Sequence, residues 1–125
     1  MCNMKTWSPH WKASVKPSKQ RAYVREAPLH VKRSFLSAHL SKELRGKHKM
    51  RSLTVRVGDK VIVMTGQFRK KSGKVERVDI KKSKVYISGV ELAKKDGSKM
   101  QYPIHASNII ITELHPDKRR IGELK

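Results

Sequence analysis

The sequence predicts a mainly β protein: a small β-barrel over residues 55–114, preceded by a basic arm that carries two short helices. Three observations predict it. Between Val55 and Gly89 valines and isoleucines recur with a spacing near two (Val61 and Val63, Val85 and Ile87), the period of half-buried strands. Gly58-Asp59, Gly66 and Gly73 interrupt these runs where tight turns belong. Upstream, residues 17–54 space aromatic and aliphatic side chains among basic ones around helix-start signals.

Composition narrows the class of partner. A chain of 125 residues that is 37% hydrophobic has room for one domain plus extensions and no large core. Thirty Lys and Arg against ten Asp and Glu give a net charge of +20, a self-repulsion that a polyanion relieves. Nucleic acid is the partner this implies. An anionic membrane surface is the rival for any basic chain, but no run approaches the ~20 apolar residues of a span. The N-terminus also lacks the apolar core of a signal peptide, so the expectation is a soluble, intracellular protein without a membrane partner. One cysteine, Cys2, fits a reducing compartment and reads as an incidental terminal residue. The six histidines are scattered without zinc-ligand spacing, so neither a metal nor another cofactor is expected.

Taken in order, residues 1–16 contain Pro9, few aliphatics and no period, and read as an arm that is disordered in isolation. Trp7 and Trp11 within it can stack on unpaired bases, dip into a membrane interface or cover a neighbour's apolar surface. Residues 17–54 form a basic extension. Pro28 is placed as the first residue of a helix to about Ser37, and Ser41 as N-cap of a second helix with Glu43 in its first turn and Gly46 near its end. Both are too short to hold alone and must lean on the barrel or on RNA. In the barrel, strands are expected at about Lys60–Met64, Lys74–Ile80, Lys84–Ser88, Val90–Lys95, Lys99–Ile104 and Ile109–Glu113. Asp96-Gly97 turns a projecting hairpin, and residues 105–108 make one turn before the last strand. Residues 115–125 read as a polar, mobile tail.

Charge is distributed unevenly. Residues 1–54 hold 13 basic and 2 acidic side chains, residues 55–114 hold 13 and 6, and residues 115–125 hold 4 and 2. Nucleic-acid contacts are therefore expected from arm and barrel together. The candidates in the arm are Lys19, Arg21, Arg25, His30, Lys32, Arg33, Lys47, Lys49 and Arg51. Those in the barrel are Arg56, Phe68, Arg69, Lys70, Lys71, Lys74, Lys81, Lys82, Lys84, Ser107 and Asn108. Ser107 and Asn108 are turn and cap formers first and RNA ligands second.

The segment from Gly66 to Lys74 invites comparison with a nucleotide-binding P-loop and fails it. Six residues separate its glycines where that motif has four, and Val75 stands where a magnesium-binding hydroxyl is needed. Gly66 and Gly73 instead suggest positive φ at the two ends of a turn. Phe68 between them either offers a stacking face or plugs the open end of the barrel. Asp59, Asp79, Asp96 and the glutamates sit beside turns or on exposed strand positions, where solvated carboxylates balance nearby cations. No nucleophile has a base and orienting partner, so catalysis is not expected.

Two resemblances join this reading. Val55-Arg56-Val57-Gly58-Asp59-Lys60-Val61 through Gly66, Gly73-Lys74-Val75 and Val78 resembles a KOW motif, the mark of SH3-like barrels in ribosomal proteins and transcription elongation factors. The flanks choose between them. Ala27-Pro28-Leu29-His30, Leu40-Ser41-Lys42-Glu43-Leu44-Arg45, and Tyr102-Pro103-Ile104-His105 with Ser107-Asn108 resemble the archaeal and eukaryotic form of large-subunit ribosomal protein twenty-four, called twenty-six in eukaryotes. The resemblance runs from about Ser18 to Leu114, and the absence of a long lysine-rich C-terminal helix is closer to archaeal members. Family members usually carry a glycine and an acidic residue where this chain has Lys70 and Ser72. The first sixteen residues resemble nothing in the family.

The resemblance implies a non-enzymatic constituent of the large ribosomal subunit in the cytoplasm. It implies binding to the 5′ domain of the large rRNA, action early in assembly, and a place near the peptide exit tunnel. Neighbouring ribosomal proteins would be partners, and nascent-chain or targeting factors could meet the hairpin; no small-molecule substrate is implied. Binding of this kind weakens with salt, and removing the arm should flatten that dependence. The rivals are a KOW-type transcription elongation module and an RNA-processing enzyme.

Overall fold

The computed structural model of the chain describes residues 7–117 and 119–120. The opening residues, Cys2 among them, lie outside that range.

The arm is more structured than its composition suggests. A short 3-10 helix, Pro9–Ala13, runs into α1 (Pro17–Glu26), which starts on Pro17. The indole N–H of Trp7 donates to the Tyr23 carbonyl at 3.1 Å, and Trp7, Tyr23 and Phe35 form an aromatic row with centroids 5.4 and 5.7 Å apart. The Gln20 amide donates to the carbonyls of Lys12 and Ser14, each at 2.8 Å. These contacts give residues 7–16 a fixed place beside α1, and they engage Trp7 within the protein.

Two further helices match those expected. In α2 (Leu29–Phe35) Pro28 is the N-cap rather than the first helical residue. In α3 (Lys42–His48) the Ser41 hydroxyl accepts from Leu44 N–H, with Glu43 in the first turn. Lys49, at φ +53°, closes α3 in the left-handed conformation, and its N–H donates to the Arg45 carbonyl at 2.9 Å. Gly46 lies inside the helix, so a lysine and not a glycine takes the terminating position.

The region 17–54 also contributes strands that periodicity did not predict: β1 (Ser37–Leu40) and β2 (Ser52–Thr54). The remaining strands are β3 (Lys60–Val63), β4 (Ser72–Asp79), β5 (Lys84–Ile87), β6 (Glu91–Ala93), β7 (Lys99–Gln101), β8 (Ile104–His105) and β9 (Ile109–Glu113). One seven-stranded sheet has the order β2-β1-β9-β3-β4-β5-β8, and β6 and β7 form a separate hairpin. The segment expected as one strand over Lys99–Ile104 is thus divided: β7 pairs in the hairpin and β8 joins the main sheet.

The sheet curls because β4 belongs to two walls. Its first residues pair with β3 (Lys74 opposite Lys60), and after Val75 it pairs with β5 through a bulge before Arg77. A second bulge lies between Lys60 and Val61 where β3 meets β9. The enclosed core alternates along each strand: Ala38 and Leu40, Val61 and Val63, Val85 and Ile87, Ile109 and Ile111 are buried. Gly73 is needed for close packing, not for positive φ as expected. A Cβ there would run into the Ser88 carbonyl and the Ile87 side chain. Because β1 supplies Ala38 and Leu40 to this core and pairs in parallel with β9, the arm cannot be cut at residue 54 without opening the barrel. Leu40→Ala alone would cost about 2–5 kcal/mol.

Candidate nucleic-acid interface

Several acidic groups are engaged within the protein, while Glu43 and Glu91 are exposed without a partner among the described residues. Asp59 is fully buried, contrary to the expectation of a solvated carboxylate. Its two oxygens take a bidentate grip from Arg120, with Nη1 at 2.7 Å and Nη2 at 2.8 Å, and also accept from the N–H groups of Arg56 and His115. Arg120 Nη2 donates further to the Thr54 carbonyl at 2.6 Å. Asp59 therefore ties the loop before β3, the end of β9 and the C-terminal segment together. The turn feeding it needs Gly58, at φ +99°, because a Cβ would meet the His115 ring. The segment expected as a mobile tail is in this way anchored at Arg120, and at Asp117 by an ion pair with Arg56.

Other carboxylates hold turns or single cations. Asp79 accepts from the N–H of Lys82, and Lys60 pairs with Glu113. Asp96 accepts from the hydroxyl and N–H of Ser98, which keep its carboxyl below its ordinary range. Among the described residues, four ion pairs stand against thirty Lys and Arg in the chain, so most of the described cations carry no acidic partner.

The candidate contacts fall into clusters. Lys19, Arg21 and Arg25 are exposed on α1, with Arg25 paired to Glu26. His30 and Arg33 are exposed and Lys32 half-buried on α2. Lys47, Lys49 and Arg51 are exposed along and after α3. Arg69, Lys70 and Lys71 project from the β3–β4 loop, Lys74 is exposed near the start of β4, and Lys81 and Lys82 project from the β4–β5 turn. Lys84 and Asn108 line the mouth of the barrel, and Ser107 beside Asn108 is exposed.

The β3–β4 loop explains how its cations are presented. Phe68 is only 7% exposed and packs on Tyr102 at 5.1 Å, so it plugs the barrel and is not a free stacking face. Lys71 Nζ lies 4.9 Å from the Phe68 ring centre. Gly66 takes φ +94°, and Lys70 is forced to φ +69° while its N–H donates to the Val63 carbonyl at 2.8 Å. A lysine thus occupies a left-handed position that glycine fits without strain.

Two hollows bring together residues distant in sequence. One groove is lined by His30, Arg33, Arg56 and Arg120 and continues past Arg119, with Asp117 as the acid on its wall. The other lies at the barrel mouth between the β3–β4 loop and residues 102–108. Sequence reasoning missed Arg119 and Arg120, about sixty residues from the Asp59 they flank or bind, and Tyr102 and His105. The Tyr102-Pro103-Ile104-His105 motif was visible, but periodicity assigned most of it to a strand.

A curled β-sheet whose loops and helical arm carry mostly unpaired cations defines the class: a small barrel protein suited to polyphosphate surfaces. The model of the family described as ribosomal proteins L26 (eukaryotic) and L24 (archaeal) matches residues 14–125, and the chain belongs to this family. Relatives include the large ribosomal subunit protein uL24 of Methanosphaera stadtmanae, 44% identical over 107 residues, covering 86% of this chain and 92% of that protein. The protein of the same name from Korarchaeum cryptofilum is 42% identical over 102 residues, covering 82% and 78%. The chain is a structural, non-enzymatic ribosomal protein of the large subunit, and its place is the cytoplasmic ribosome. No helix among the described residues is long and apolar enough to cross a membrane.

Proposed function

We propose that this chain binds the 5′ domain of the large-subunit rRNA early in assembly and holds several of its helices in a fixed relation near the peptide exit. The observation that carries the reading is the separation of charge. Several of the few carboxylates are used in turns and ion pairs, while the more numerous cations on α1, α2, α3, the β3–β4 loop and the β4–β5 turn face outward, mostly without described acidic partners. Neutralising phosphates releases counterions, and several separate clusters can engage several RNA segments. A-form major grooves are too narrow to read, so recognition rests on shape, 2′-hydroxyls and unpaired bases. Neighbouring ribosomal proteins share the site, and the β6–β7 hairpin is available to nascent-chain or targeting factors.

The test is sedimentation of cell extract through a salt wash, paired with binding to a transcript of the 5′ domain. Stable residence with the large subunit and a preference for that transcript over unrelated RNA are expected. Co-purification with RNA polymerase alone would overturn the reading.

A further inference from the structure

We infer that the cleft at the barrel mouth takes one splayed-out, unpaired nucleotide of the bound RNA. The inference rests on the rRNA-binding reading above and assigns it a specific subsite. The cleft measures about 170 Å³, far more than the ~30 Å³ share of one water, and its walls include Phe68, Tyr102, Pro103, His105, Asn108 and Lys84.

These walls match the face and the edge of a base and one phosphate. Phe68 is buried beneath Tyr102, while Tyr102 remains 37% exposed, so the pair gives an aromatic wall with accessible surface for a base. Asn108 uses its carbonyl oxygen on the main chain to accept from Met64 N–H at 2.8 Å. Its side-chain amide makes no hydrogen bond among the described residues, leaving donors and an acceptor for a base edge. His105 Nδ1 accepts from Ser107 N–H at 3.2 Å, which places the proton of the neutral ring on Nε2 as a second donor. Lys84 lies opposite His105 in the β5–β8 register and has no acidic partner among the described residues, so it supplies one cation for a phosphate. No carboxylate among the described residues lines the cleft to oppose it. An aromatic wall, a polar edge and a single cation fit an unstacked nucleotide, not a duplex backbone.

The experiment measures binding of full-length protein to a 5′-domain transcript, together with base-modification probing of that transcript. Tyr102→Ala should weaken binding about 5- to 150-fold, as removal of one base stack does. Tyr102→Phe should restore it to about wild-type strength, and Asn108→Ala should weaken it about 2- to 12-fold. In both weakened variants one base protected by the wild type should become reactive, with the salt slope unchanged because every phosphate keeps its cation. Asn108→Ala guards against misfolding, since its amide has no described protein partner. Wild-type affinity and protection in both alanine variants would overturn the proposal. So would weaker binding with no change at any base, which would assign Tyr102 to packing on Phe68. Failure of the wild type to prefer the 5′ domain over unrelated RNA would instead remove the rRNA reading itself.

Discussion

The charged groups around Asp59 and those on the β3–β4 loop are made of similar residue types and do opposite work. At Asp59 the charges are buried, bidentate and shared among three chain segments, and they hold the fold. On the loop Arg69, Lys70 and Lys71, and beside it Lys74 of β4, are exposed near a buried phenylalanine, with no acidic partner among the described residues. The difference shows that charge in so basic a chain is not one property. Burial and pairing decide whether a cation belongs to the protein or to its partner.

The comparison breaks most visibly at its buried end. Arg120→Ala leaves the Asp59 carboxylate enclosed without its guanidinium, and stability to urea should fall by about 3–5 kcal/mol. RNA affinity of the fraction still folded should change little. At the exposed end the reverse holds: Arg69, Lys71 and Lys74 replaced together by Gln should leave the urea midpoint nearly unchanged. Their removal should reduce the slope of log affinity against log salt by about 0.7–0.9 for each phosphate no longer neutralised. The same substitutions at Lys19, Arg21 and Arg25 test α1 without touching the barrel, unlike truncation of the arm.

Smaller effects sharpen the boundary between the two ends. Lys70→Gly relieves a left-handed lysine and should stabilise the protein by about 0.5–1 kcal/mol in urea melts, while lowering the salt slope by no more than the share of a single phosphate. The smallest effect concerns the hairpin. Asp96 has a depressed pKa, so its contribution is present above the pKa of the unfolded chain and is lost as pH falls through the lower folded value. Amide protection in β6 and β7, taken relative to the intrinsic exchange rate at each pH, should fall in that acid range, and Asp96→Asn should reduce the pH dependence.

What was legible in the sequence follows from the range of the interactions. The alternation of Val61 and Val63 or Val85 and Ile87 is local, and β3, β5 and β9 stand within a residue of where it places them. Ser41 caps α3 through its own next turn, and that too was readable. The strand β1 is as long as β3 and β5, but it lies where the local signals read as a helix end and the next N-cap, and its place is set by pairing with β2 and with Ile110 and Ile111, some seventy positions away. Asp59 looked like any turn carboxylate because its partner, Arg120, is set by tertiary structure. Gly73 was expected at positive φ and does not take it; what requires a glycine there is the approach of Ser88, which no local pattern encodes. For the site, the cationic clusters were visible as composition. The cleft was not, because it joins Gly66–Phe68 to Tyr102–Asn108 across the barrel.

The most direct test of the central claim is hydroxyl-radical footprinting of the 5′ domain by the wild type, by the Gln variant of Arg69, Lys71 and Lys74, and by the Gln variant of Lys19, Arg21 and Arg25. Protection in several separate helices is expected, with each Gln variant forfeiting a different subset while Arg120→Ala, in its folded fraction, keeps them all. A footprint confined to one helix, or unchanged in both Gln variants, would contradict the account.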